Sequence, residues 1–120
     1  MRKLTQSESS VVRTLGNLIA DDVLRSQFLL DINEVEVTDE SPDGSRLLFH
    51  LPDVQLPPYR GQDSFRGRDG FPVEGKLLDA DGEFIDVYFY HVNGRMFELE
   101  LLRPDGQSIL NPNWTSFTAK

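Results

Sequence analysis

The chain has 120 residues, enough for one domain with an ordinary core, and no cysteine, which excludes a disulfide framework and thiolate chemistry and fits a reducing compartment. Twenty acids against twelve bases leave a net charge of −8. Such a surface argues against direct contact with nucleic acid, whose phosphates call for Lys and Arg, and favours a basic partner.

Thr5 and Glu8 have the spacing of a helix capping box, and Val11, Val12, Leu15, Leu18 and Ile19 follow as one apolar stripe. Thr5 to Ser10 is polar where a signal peptide needs an apolar run, and no stretch approaches the ~18 apolar residues of a membrane span. A cytoplasmic protein with no membrane partner is therefore expected. Asp21 or Asp22 can cap a further helical segment through Leu29 that buries Val23, Leu24 and Phe28, so residues 5–29 read as one bent helix or two.

Residues 33–51 read as a hairpin around Pro42-Asp43-Gly44, with Val35 facing Leu51, Val37 facing Phe49, Glu40 facing Arg46 and Glu36 facing His50. Asp31, Glu34, Glu36, Asp39 and Glu40 make this strand strongly acidic, with no base among them. Residues 52–72 hold Pro52, Pro57, Pro58 and Pro72 and interleave Tyr59, Arg60, Phe65, Arg66, Arg68 and Phe71, which reads as a long loop or lid.

Residues 73–110 read as a four-stranded meander with turns at Gly82, Gly94 and Gly106. A three-residue loop at each places Phe89 opposite Phe97, Val87 opposite Leu99, and Leu101 opposite Ile109. The core face then carries Val73, Leu77, Ile85, Val87, Phe89, Phe97, Leu99, Leu101 and Ile109. The other face carries Glu74, Lys76, Asp86, Tyr88, Tyr90, Met96, Glu98 and Glu100, with Leu78, Phe84 and Leu102 at one end. Residues 111–120 read as a tail docked by Trp114 and Phe117. The expected fold is α+β: a helix or helix pair on one face of a mostly antiparallel sheet of about six strands, in a single domain spanning 1–120.

His50 and His91 stand near no serine or cysteine nucleophile in a catalytic motif. Asp79-Ala80-Asp81-Gly82-Glu83 shares the start of a calcium loop but lacks its remaining ligands and flanking helices. No Walker sequence, dinucleotide fingerprint or Cys/His metal cluster is present, so no catalytic residue, cofactor or metal ligand is assigned.

Pro72-Val73-Glu74-Gly75, Asp79-x-Asp81-Gly82, Gly94-Arg95-x-x-Glu98-Leu99-Glu100 and Arg103-x-Asp105-Gly106, with the opening Leu4-Thr5-x-x-Glu8, form a pattern. It resembles a family of small acidic bacterial proteins that look like immunity proteins of contact-dependent growth inhibition and related polymorphic-toxin systems. The resemblance covers the stretch from Pro72 well and the N-terminal helix loosely; residues 31–71 have no counterpart. It implies a non-enzymatic protein that occludes a cognate toxin domain, with a basic, nuclease-type toxin as the natural match for this charge. Glu74, Asp86, Tyr88, Tyr90, Glu98 and Glu100 on the second sheet face are the first candidates for partner contact, followed by Glu34, Glu36 and Asp39. The competing reading is a small-molecule-binding or regulatory module with residues 52–72 as its lid. An acid–base enzyme built on a carboxylate pair comes third. The oligomeric state stays open.

Overall fold

The computed structural model describes residues 1–55 and 69–119, so most of the 52–72 loop, including Tyr59 and Phe65 and with them the lid reading, lies outside the described residues. The chain forms the expected α+β fold, with two helices packed against one open antiparallel sheet. In chain order the elements are β1 (Arg2–Lys3), α1 (Gln6–Asn17), α2 (Asp22–Asp31), β2 (Glu36–Glu40), β3 (Arg46–His50), β4 (Asp69–Leu78), β5 (Phe84–Val92), β6 (Arg95–Leu102) and β7 (Asn113–Ala119). The sheet has seven strands in the order β1-β2-β3-β6-β5-β4-β7.

The helices are two, not one bent rod, because each has its own cap. The Thr5 hydroxyl accepts from the Glu8 N–H at 3.1 Å while the Glu8 carboxylate accepts from the Thr5 N–H at 2.9 Å, closing the capping box. Asp21 then caps α2 by accepting from the Leu24 N–H. Leu18 and Val23, expected in the core, are exposed, since both lie at the break between the helices. Gly16 lets the helices touch: a Cβ there would lie 1.8 Å from the Phe28 ring. Phe28 in turn meets Phe89 of the sheet edge-to-face, with centroids 5.3 Å apart.

All nine sheet residues expected in the core are buried. The ladders that carry them differ from expectation in three places. The β5–β6 turn is the two-residue kind, with Asn93 and Gly94 both at positive φ (51° and 80°) and Val92 opposite Arg95. A bulge between Tyr90 and His91 then adds one residue of offset, so Phe89 faces Leu99 and Val87 faces Leu101. The net slip from the expected register is two residues, an even number, and an even slip leaves those side chains on their expected faces. Within the bulge parity is lost, and Met96 joins the core instead of the open face.

In the β2–β3 hairpin, Glu36 faces His50 and Val37 faces Phe49 as expected. A bulge between Val37 and Asp39 then puts Glu40 opposite Leu47, not Arg46, because the turn between Ser41 and Arg46 holds one residue more than the three-residue rule allows.

The third difference is topological. Residues 73–110 supply three strands, not four. The side of β6 that a fourth would use is occupied by β3, with Arg46 opposite Glu100, Leu47 opposite Leu99 and Leu48 opposite Glu98. The chain still turns at Gly106 and still buries Ile109, but the N–H groups of Leu110 and Asn111 bond the Asp79 carboxylate and not a neighbouring strand. The expected tail becomes β7, laid along the other side of β4, where Gly75 admits the Phe117 ring; a Cβ at Gly75 would lie 2.1 Å from it. The last residues of the expected loop, from Asp69, belong to β4.

Candidate functional site

Strand register brings three turns to one end of the sheet. Arg46 at the start of β3 stands opposite Glu100 near the end of β6, Leu102 stands opposite Asp86, and Phe84 at the start of β5 stands opposite Leu78 at the end of β4. The turns at 41–45, 79–83 and 103–106 therefore share an edge. Asp39, Glu40, Asp43, Asp81, Glu83 and Asp105 are exposed there.

Two of those turns are clamped by one buried cation. The Arg103 guanidinium donates from Nη1 to Asp79 Oδ2 at 3.0 Å and to Asp81 Oδ2 at 2.9 Å, and from Nε to Asp105 Oδ1 at 3.0 Å. Burial alone pushes the Asp79 carboxyl up. The N–H groups of Leu110, Asn111 and Ala80, together with Arg103, outweigh it, and its pKa falls to about 2. Arg103, with the Gln107 N–H, likewise holds Asp105 below the usual carboxylate range. Three carboxylates around one guanidinium leave the knot negative. In the first turn the Asp43 carboxyl is lowered by hydrogen bonds from Ser45 and Ser41.

The candidates from sequence divide by burial. Glu98 and Glu100, the centre of the face expected to be open, are buried. That expectation is corrected here, and the cause is β3: it brings Arg46 alongside, with Nε 3.2 Å from Glu98 Oε2 and Nη2 donating to Glu100 Oε2 at 3.1 Å. The Tyr90 hydroxyl donates to Glu100 Oε1 at 3.0 Å. Tyr88, Tyr90 and Asp86 are half-buried on the same face, and Glu74 is exposed. Glu34 and Asp39 are exposed along β2 and its approach, and Glu36 is half-buried opposite His50. Glu40, exposed beside them, receives Arg2, which also bonds the buried Glu8 at 2.8 Å.

Arg95 is likewise spent internally. It grips Asp31 at the end of α2 through Nε and Nη2 (2.9 and 2.8 Å) and reaches Asp53 at 2.9 Å. Beside it, an apolar groove of about 550 Å³ runs between α2 and the β5–β6 turn, lined by Val23, Leu24, Gln27, His91 and Gly94 among others. His91 Nδ1 accepts from the Gly94 N–H at 2.9 Å, which leaves the ring proton of a neutral imidazole on Nε2. Among the described residues, no three His, Asp or Glu side chains gather in a way that could hold a metal ion, and no helix is long and apolar enough to cross a membrane.

Fold and surface together define an α+β protein with an acidic turn edge, two of whose turns are joined by Arg103. No protein-family model, curated protein or solved structure matches the chain.

Proposed function

We propose that this chain is an immunity protein: it binds a cognate, basic toxin domain, of which a nuclease is the natural type, and blocks its active site without catalysis. The observation that carries this reading is the placement of exposed charge. Asp39, Glu40 and Asp43 lie at the turn end of β2, and Asp81, Glu83 and Asp105 lie on the two other turns at that end of the sheet, while Glu34 is exposed at the other end of β2. A toxin that handles nucleic acid presents a basic active site, and an acidic edge both steers and matches it. With Glu98 and Glu100 buried, the proposed contact is drawn along this edge and not in the middle of the sheet. The resemblance of residues 72–106 to immunity proteins supports the same reading.

The test is charge reversal on exposed ground. Glu34→Lys with Asp39→Lys is expected to weaken binding of the cognate basic toxin domain by about tenfold or more, most of it at low salt, with an unchanged circular dichroism spectrum. Equal affinity of variant and wild type removes β2 from the contact.

The groove beside α2 favours a second reading, a small-molecule-binding module. A ligand that raises the melting temperature of the isolated chain, and loses that effect in Leu24→Trp, supports it. No shift across a metabolite panel counts against it.

A further inference from the structure

We propose that Phe84 and Leu102 are the apolar anchor of the acidic edge, the spot where a hydrophobic side chain of a basic partner protein seats. The inference rests on the reading of this chain as a binder of such a partner and adds to it the contact on which affinity depends most.

Phe84 is 52% exposed and Leu102 48% exposed, though both lie within strands of an otherwise well-filled sheet. Leu78 stands directly opposite Phe84, and Leu102 stands opposite Asp86, two residues along β5 from Phe84. Alternation puts all four on the face away from the helices, so the two exposed side chains are diagonal neighbours in one patch. Exposed apolar patches within a polar rim mark contact surfaces, and an aromatic near the centre is the usual anchor.

Charge around the patch selects the occupant. Glu83 precedes Phe84, Asp81 and Asp105 sit on the two adjoining turns, and Asp86 lies across from Leu102. Two cations lie in the same region: Arg103, enclosed by its three aspartates, and Lys76, which stands opposite Asp86 and lies over the Phe84 ring with Nζ 4.5 Å from the centroid; Asp79, Asp81, Glu83, Asp86 and Asp105 outnumber them. The complementary surface carries an aliphatic or aromatic side chain flanked by Arg or Lys. Nucleic acid is repelled by the rim. A second copy of the chain, docked about a two-fold axis through the patch, would bring these acids against their own counterparts.

The patch is also pre-set. Arg103 ties the turns on either side of it to each other, so little ordering remains to be done when a partner arrives.

The test compares two double variants made at exposed positions. Phe84→Ser with Leu102→Ser removes the anchor. Leu18→Ser with Leu30→Ser removes apolar side chains that are 51% and 65% exposed at the end of α1 and on α2. Each is titrated calorimetrically against the cognate basic toxin domain at low and high salt, after circular dichroism has confirmed the fold. The anchor variant is expected to bind about tenfold more weakly or worse while keeping the wild-type salt dependence, because no charge has changed. The helix variant is expected to stay within about twofold of wild type. An anchor variant that binds like a binding-competent wild type overturns the anchor alone, as does an equal loss in the helix variant. A wild type that does not bind the toxin domain overturns the basic-partner reading and the anchor with it.

Discussion

Arg103→Met is expected to be among the most destabilising single substitutions in this protein, lowering the melting temperature by about 10–20 °C. The methionine fills most of the space, so packing is not the main loss. The loss is the positive charge that three carboxylates share, one of them the buried Asp79. Removing one partner of a buried ionic cluster leaves the remaining charges uncompensated, which costs far more than the cluster contributes when intact. Acid dependence gives a second readout. Asp79 has a folded pKa of about 2, below its unfolded value, so its contribution is fully present above the unfolded pKa of about 4 and is lost as pH falls toward 2. In Arg103→Met one of the causes of that depression is gone, the folded pKa rises, and the loss begins at higher pH. Urea midpoints measured from pH 2 to 7 for both proteins report the two effects together. A variant with the wild-type midpoint and the same acid profile would show that the Asp79 N–H contacts, not Arg103, hold the turns.

The core was legible before the structure because it depends on parity alone. The nine residues from Val73 to Ile109 expected in the core stay buried despite a bulge paired with a shorter turn and the loss of a whole strand, whereas on β6 Met96, Glu98 and Glu100 are buried as well. The strand order was not legible, because it depends on pairings between residues far apart in sequence. Arg46 meets Glu100 across fifty-four positions, and nothing local to either residue specifies that meeting. β7 was missed for a related reason: Asn113 to Ala119 is neither alternating nor strongly apolar, and its place beside β4 depends on the gap that Gly75 leaves for Phe117.

The charged residues of the motifs from Leu4-Thr5-x-x-Glu8 to Arg103-x-Asp105-Gly106 have a common use inside this chain. Glu8 closes the helix cap and binds Arg2, and Arg95 ties α2 to the sheet. Glu98 and Glu100 hold Arg46, and Asp79, Asp81 and Asp105 enclose Arg103. The pattern is thus largely a set of internal ion pairs, and the exposed acids Glu34, Asp39 and Asp43 lie outside it.

That division predicts opposite behaviour for two charge reversals of the same size. Glu98→Lys with Glu100→Lys is expected to give a chain that does not fold: no cooperative thermal transition and no near-ultraviolet circular dichroism. Glu98 is fully buried, so the new ammonium would have to enter the interior beside Arg46, and at position 100 the Tyr90 hydroxyl would lose its acceptor. Breaking a buried pair from one side costs about 3–5 kcal/mol, and domains of this size have only about 5–15 kcal/mol in total. Two such changes around one arginine exhaust that margin. Glu34→Lys with Asp39→Lys changes the charge by the same amount on exposed positions and should leave the melting temperature within a few degrees of wild type. Failure of the buried variant to bind a toxin would therefore say nothing about the contact surface, whereas failure of the exposed one would. A folded Glu98→Lys/Glu100→Lys protein with a native melting curve would mean that the middle of the sheet is open after all, and the partner surface would have to be drawn there instead of along the acidic edge.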